Sequence, residues 1–343
     1  MGVDTHKHFH VAAVIAQSGR RLAYKSFDAD AKGYRQALAW ARSFGEVSQA
    51  GIESCGTYGA GLRAHLGRDG IEVFDVYAPD KAKRRRRGKD DAEDAFQAAE
   101  AALCGERCGI AKDTSAALES LALLKATYAQ TVRQRTATVN ALKAAIVSLP
   151  DAFRSRLRHM DTSELVATCS AFRTSARGDD AQADMRLALR TLAKRVIHLD
   201  GERAVLDKRI KALADRLLPH TSSLFGIGHH GATTLLCAAG LNIERMRSES
   251  SFSMLCGTSP VPVSTADSYH HRLNRGGNRK ANSAIHTMAL TRMRYSEKTQ
   301  AFIAGKMSES KSKTDAIRIL KRYLAREAYA ALKRDISVLG LLA

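Results

Sequence analysis

The sequence predicts an α/β first third followed by a helical remainder. Three observations carry that expectation. Short apolar runs alternate with helically spaced segments up to about residue 112. Apolar residues then recur on heptad spacing through two long stretches. Beyond residue 220, helical segments alternate with loops rich in glycine and proline. A chain of 343 residues is long enough for two or three domains, and the pattern changes divide it into 1–112, 113–220 and 221–343.

Gly2, Val3 and Asp4 open the first strand region, and the apolar run at 11–15 continues it. Gly19 precedes a weakly alternating segment at 21–27, which suggests a hairpin. Residues 32–43 have helical spacing through Tyr34, Leu38 and Trp40. Residues 50–53 read as a short buried strand, 58–66 as a helix closed by Gly67 and Gly70, 71–77 as a strand stopped by Pro79, and 91–103 as an alanine-rich helix. In the middle third, Leu121, Tyr128, Val132, Val139, Leu142, Ile146 and Leu149 fall on a/d spacing, interrupted by Lys125 and Arg135. A second set runs from Leu192 through Val196, Leu199, Leu206, Ile210 and Leu213 to Leu217. Pro150 and Pro219 end these two helices. The spacing is that of a coiled coil, formed either as a hairpin within the chain or between subunits. In the last third, a helix spans 232–239, a loop spans 257–278, and helices follow at 279–295 and 313–332. Ser312 and Asp315 resemble a capping box for the last one.

Composition narrows the function. Lys+Arg number 54 against 35 Asp+Glu, for a net charge of +19. The balance climbs from +3 in 1–112 (18 basic, 15 acidic) to +6 in 113–220 (18 and 12) and +10 in 221–343 (18 and 8). Such a field points to a polyanion, most often nucleic acid. No run of 18 apolar residues is present, so no membrane-spanning helix is expected. The N-terminus has no apolar signal core, and six scattered cysteines do not make a disulfide scaffold. These features fit a soluble cytoplasmic protein. One run is unusually dense: Lys81, Lys83, Arg84, Arg85, Arg86, Arg87 and Lys89 would repel one another unless an anion such as a phosphate backbone neutralised them.

Asp4 lies at the first strand, Glu53 at the end of a later one, and Asp91 and Asp94 share a helix face three residues apart. Carboxylates brought to one point require cations. Mg²⁺, or Mn²⁺ in its place, suits an oxygen-rich site that handles phosphate. His6, His8 and His10 alternate, as for one side of a strand, and contact with phosphate near the metal site is a reading for His6 or His10. Cys104 and Cys108 form a lone C-x₃-C and read as ordinary thiols, and no histidine is placed to activate Cys55.

Three segments carry a resemblance: Gly2-Val3-Asp4-Thr5-His6-Lys7, Glu53-Ser54-Cys55-Gly56-Thr57-Tyr58-Gly59, and Gly88-Lys89-Asp90-Asp91-Ala92-Glu93-Asp94-Ala95. In order, they resemble the DEDD transposases of bacterial insertion sequences, of the insertion-sequence-110 type. That family includes Piv-type DNA invertases and RNA-bridged recombinases. The resemblance implies a ribonuclease-H-like N-terminal domain akin to the Holliday-junction resolvase RuvC, with Asp4, Glu53, Asp91 and Asp94 as the metal-holding tetrad and Asp90 and Glu93 as bystanders. The C-terminal third resembles the same family. Leu224-Phe225-Gly226-Ile227-Gly228 looks like its helix-hairpin-helix element, which would aim the backbone around Gly226 and Gly228 at phosphate. Residues 257–262 and 271–279 look like its loop bearing a nucleophilic serine, with Arg272, Arg275 and Arg279 as phosphate contacts. Where the family has Ser-Gly, this chain has Thr265-Ala266, with Ser264 one residue earlier. Three readings follow: Thr265 attacks, Ser264 attacks after a one-residue shift, or the loop is inactive.

The resemblance thus implies a transposase or site-specific recombinase that cleaves and rejoins donor and target DNA through a covalent hydroxyl-linked intermediate. It further implies a structured non-coding guide RNA, a dimer or tetramer with dimer contacts from the helical middle, and association with the bacterial nucleoid. Two rivals share the residues: a junction-resolving nuclease with water as nucleophile, and a decayed, non-catalytic nucleic-acid-binding relative.

Overall fold

The chain is described here from a computed structural model over residues 1–77, 90–113, 115–173, 181–265 and 268–340. Strands β1 (Gly2–Thr5), β2 (Phe9–Ile15) and β3 (Arg21–Asp28) form an antiparallel meander. Helix α1 (Ala31–Arg42) leads to β4 (Gln49–Glu53), and α2 (Ala60–Arg68) leads to β5 (Glu72–Val76). Helix α3 (Asp91–Cys104) and the short β6 (Cys108–Ile110) complete the first layer structure. The sheet order is β3-β2-β1-β4-β5-β6. β4 runs parallel to β1, β5 parallel to β4, and β6 antiparallel to β5.

The alternation of side chains along each strand sorts the two faces. Val3, Ala12, Val14, Ile52 and Val73 join Leu38 of α1 and Leu62 and Leu66 of α2 in one buried cluster. Val11 and Ala13 face the other way and pack on Ala95 and Phe96 of α3. α3 comes very close to the sheet. A Cβ on Gly2 would stand 2.1 Å from Ala99 N, and one on Gly51 2.1 Å from Ala98 O, so only glycine admits the helix at these two points.

The chain divides into two compact units, one of Met1–Asp113 with Gly240–Arg247, the other of Thr114–Ala239 with Ser248–Ala343. The return of 240–247 to the first unit is secured by Asn242, which donates from Nδ2 to Ala111 O (2.9 Å) and accepts from Asp113 N (2.7 Å). The first segment of the first unit ends at Asp113. Residue 220 lies inside the second unit.

In the second unit, α4 (Ala116–Val147) and α7 (Ala181–Leu217) are the two long helices, with α5 (Asp151–Leu157) and α6 (Thr162–Ser170) between them. Val139, Leu142 and Ile146 near the end of α4 pack on Leu189, Ala193 and Val196 near the start of α7, and Arg135 Nε donates to Asp200 Oδ1 at 2.7 Å. The heptad leucines therefore pair as an antiparallel hairpin within the chain. Short α8 (Pro219–Ser222), α9 (Gly228–Ala239) and α10 (Glu249–Leu255) follow, then a two-stranded ribbon β7 (Val261–Thr265) and β8 (Ser268–Arg272). The chain closes with α11 (Arg279–Tyr295), α12 (Glu297–Ser308) and α13 (Lys313–Gly340). The ribbon occupies what the sequence predicts as loop. Its strands are only five residues long, and Pro260 just before β7 and Pro262 within it mask a strand signal. Asp335 of α13, almost wholly buried, accepts from His220 N, Thr221 N and Thr221 Oγ1 at 2.9, 2.8 and 2.6 Å. It caps α8 from a distance and binds the last helix to it.

Candidate active site

The first unit builds its site from strand ends and a helix start. Gly2 and Asp4 share one face of β1, and Gly51 and Glu53 share the same face of β4. The parallel register pairs Gly2 with Gly51 and Val3 with Ile52, so the next step along both strands brings Asp4 beside Glu53. The Thr5 hydroxyl donates to Glu53 O at 2.9 Å and locks the two strand ends together. Ser54 then takes a left-handed φ of 60°, which turns the chain sharply away from β4. On this face lies α3. Asp90 caps it by accepting from Ala92 N at 3.0 Å, which leaves Asp91 as its first residue and Asp94 one turn on.

The structure brings Asp4, His6 and Asp91 together, with their ligand atoms all within 4.8 Å of one another. His6 Nε2 stands 3.2 Å from Asp4 Oδ2 and 3.2 Å from Asp91 Oδ2, without hydrogen-bond geometry to either. Asp4 and Asp94 are buried, while Glu53, Asp91 and His6 are partly exposed. Glu53 and Asp94 lie outside the three-atom cluster. Glu93 points elsewhere, paired with Arg21 at 2.6 and 3.0 Å. That ion pair, with the contact to Glu100, holds the Arg21 guanidinium above its ordinary pKa.

Sequence reading makes His6 or His10 a phosphate contact near the metal site, not a partner of the carboxylates. The alternation of His6, His8 and His10 suggests one strand face. In the structure the three do not share a face: residues 6–8 form the turn between β1 and β2, His8 is exposed, and His10 is buried in β2. Burial pushes the His10 pKa down, and its Nδ1 lies 3.3 Å from the His6 backbone N and 3.0 Å from Phe9 O. The turn that throws His6 over the end of β1 has no signature in residue spacing.

The second unit holds the serine- and threonine-bearing ribbon. β7 pairs Ser264 with Tyr269 and Thr265 with Ser268, and Ser264 is exposed. Two glycines set the base of the ribbon. Gly257 has φ 61° and Gly277 φ 81°, and a Cβ on Gly277 would meet Leu255 O and Met254 O at 2.6 Å. Asn278 caps α11 by accepting from Lys280 N and Ala281 N, and Asn282 donates to Cys256 O and Gly257 O. A cavity of about 670 Å³ opens beside the ribbon, lined by Arg272 together with Lys311, Arg318, Lys321, Arg322 and Arg326. Only Asp315 among its lining residues is acidic. Arg275 and Arg279 are exposed outside it. Gly226 and Gly228, at φ 90° and 60°, form the turn into α9. The basic run at 81–89 lies outside the described residues, as does Ala266.

Cys55, Cys169 and Cys256 are buried, and burial raises all three thiols, Cys256 to about 12. They are poor thiolates. Among the described residues, no helix is long and apolar enough to cross a membrane.

Comparison with protein families gives two matches. Residues 1–149 match the transposase model of the DEDD, IS110-type elements. Residues 220–304 match the transposase model of the IS116/IS110/IS902 family. No curated protein sequence matches the chain. The first match spans every carboxylate of the site in the first unit, and the second spans the α9 turn and the ribbon. Two models of one kind of transposase, in order and covering both regions, show that this chain is a DNA transposase belonging to the IS110-type DEDD family.

Proposed function

We propose that this transposase cuts and rejoins DNA with a divalent-metal centre on Asp4, Glu53, Asp91 and Asp94 and a hydroxyl nucleophile on β7. The observation that carries this reading is the approach of Asp4 and Asp91, contributed by a strand end and a helix start 87 residues apart in sequence, to one imidazole. Two carboxylates held this close repel unless a positive group stands between them. The donor set is all oxygen apart from His6, which fits Mg²⁺ or Mn²⁺. When bound, such an ion polarises a phosphodiester oxygen and stabilises charge on the oxygens being exchanged. The strand order β3-β2-β1-β4-β5, with the first three antiparallel and the next two parallel, supports the ribonuclease-H-like, RuvC-like reading of this unit.

In the proposed reaction a hydroxyl of Ser264 or Thr265 forms a bond to phosphorus as the P–O bond to one sugar breaks. The hydroxyl proton passes through solvent to the leaving sugar oxygen. The phosphoester link conserves the bond for religation to a second strand. The basic cavity beside the ribbon, through Arg272, Lys311 and Arg322, holds phosphate, and Arg275 and Arg279 extend that grip. The turn at Gly226–Gly228 serves as the hairpin of a helix-hairpin-helix, with its backbone N–H groups toward a phosphate. Lys83, Arg84, Arg85, Arg86, Arg87 and Lys89 add a further backbone contact. We also propose a structured non-coding guide RNA as partner and a homo-oligomer, dimer or tetramer. The oligomer is supported by exposed apolar side chains along the long helices, among them Leu123, Val147 and Val205.

Strand transfer with Asp91→Ala tests the metal reading: activity is lost while folding is kept, and unchanged activity rejects it. Ser264→Ala and Thr265→Ala, assayed for a denaturation-resistant protein–DNA adduct, separate the two hydroxyls. The adduct disappears in one variant and survives in the other. Persistence of cleavage without any adduct in the wild type identifies water as nucleophile. RNA sequenced from the purified protein tests the guide.

A further inference from the structure

A second cluster of metal-type ligands lies in the second unit, remote in sequence from the DEDD carboxylates. Asp207 sits on α7, and His229 and His230 are the second and third residues of α9. Neighbouring positions on a helix point about 100° apart and ordinarily do not face one target. Here both do. His229 Nε2 lies 2.8 Å and His230 Nε2 2.7 Å from the same oxygen, Asp207 Oδ1, and the two rings stand 4.4 Å apart. The left-handed Gly228, φ 60°, starts the helix and lets its first turn present both imidazoles.

We propose that Asp207, His229 and His230 bind one divalent transition-metal ion of the zinc class. Two imidazoles and a carboxylate are the donors that suit Zn²⁺, Co²⁺ or Ni²⁺, where Mg²⁺ prefers oxygen alone. Ligand bonds of about 2.0–2.2 Å in a tetrahedral site set the donor atoms roughly 3.3 Å apart. The two histidine–aspartate contacts need to open by only about half an ångström to reach that spacing, and all three ligand atoms already lie within 4.8 Å of one another. Metal binding takes each imidazole with its Nε2 lone pair free and the carboxylate ionised, so an ion takes the place of any proton held between Nε2 and Asp207 Oδ1.

The surroundings fix the ligands from behind. Tyr128 of α4 packs on the His230 ring at 4.4 Å. Lys125 Nζ donates to His230 O at 2.8 Å. The hydroxyls of Thr233 and Thr234 donate to His229 O and His230 O, both at 2.7 Å. Such support orients ligands and strengthens metal binding. The three side chains remain partly exposed, at 27–41%, so a fourth position is open to water or to a phosphate oxygen. The ion staples α7 to the start of α9 and stiffens the glycine turn that precedes it.

The test uses full-length protein stripped with a chelator and titrated with Co²⁺. Expected are a visible absorption band of nitrogen- and oxygen-ligated cobalt that saturates at one equivalent, displacement of that band by Zn²⁺, and its retention in Asp91→Ala. His229→Ala/His230→Ala loses one equivalent and the band, with circular dichroism confirming that its helices persist. Asp207→Asn, a near-isosteric change that serves if the double variant misfolds, weakens Zn²⁺ binding by about tenfold or more and removes the rise in Tm that Zn²⁺ gives the wild type. The proposal is overturned if the wild type shows no such band. It is equally overturned if the band, stoichiometry and Tm shift are the same in Asp207→Asn as in the wild type.

Discussion

Lys125 interrupts the heptad pattern of α4, and the structure puts its ammonium to use. Nζ donates to His230 O and Thr233 Oγ1 at 2.8 and 3.0 Å, and burial lowers its pKa from 10.5 to about 8. A depressed amine pKa means that the unfolded chain binds more protons than the folded one between about pH 8 and 10.5. Stability from this group therefore rises with pH across that window and is flat below it. Thermal melts of wild type and Lys125→Met at pH 7.5 and 10 check this in metal-free buffer: the wild type gains relative to the variant at the higher pH. Equal pH responses reject the assignment. At the same scale, Asp4 and Asp91 were readable as acids in a motif and His6 as a phosphate contact near the metal site, whereas its approach to both carboxylates was not. Its position comes from the turn at residues 6–8, which breaks the alternation that linked it to His8 and His10.

Helix α3 is held against the sheet by the absence of two side chains. At Gly2 a Cβ would meet Ala99 N at 2.1 Å and Ala95 O at 2.2 Å, both backbone atoms that a rotamer change cannot move. Gly2→Ala must lift the helix that begins with Asp91. We expect a loss of roughly 1–3 kcal/mol from overpacking, together with a fall in strand transfer larger than lost folding explains. Gly67→Ala in α2 meets nothing within 4 Å and has no positive φ, so it gains up to about 1 kcal/mol in helix propensity. Denaturant melts and activity on the pair test the seat of α3, and a neutral Gly2→Ala would dismiss it. The α1, α2 and α3 patterns were legible because each buries one regular face. β6 was not, having three residues and no alternation, and neither was the β7–β8 ribbon, whose prolines and glycines read as loop.

For the whole molecule, the +19 charge predicts nucleic-acid binding that weakens steeply with salt. A protein that neutralises six or more phosphates loses roughly a thousandfold or more in affinity between about 50 and 200 mM salt. Fluorescence anisotropy with duplex DNA over that range is the measurement, and a fall of less than about tenfold counts against extensive backbone contact. Charge is distributed unevenly, with the near-balanced 1–112 segment holding the carboxylate site and the basic cavity lying in 257–326.

Periodicity by itself determined the α/β-then-helical class, and motif order, through its resemblance to known transposases, pointed to the family and singled out the four acids proposed to hold the metal. These are properties of local spacing, and local spacing sets which face each residue presents. Tertiary structure decided the rest. It chose an intrachain hairpin for the heptad leucines, returned 240–247 to the first unit, set His6 between Asp4 and Asp91, and joined Asp207 to two histidines more than twenty residues on. Each of these depends on contacts between segments far apart in sequence. Helix and strand periods carry no information about which faces meet, because that is fixed only when loops close and cores pack.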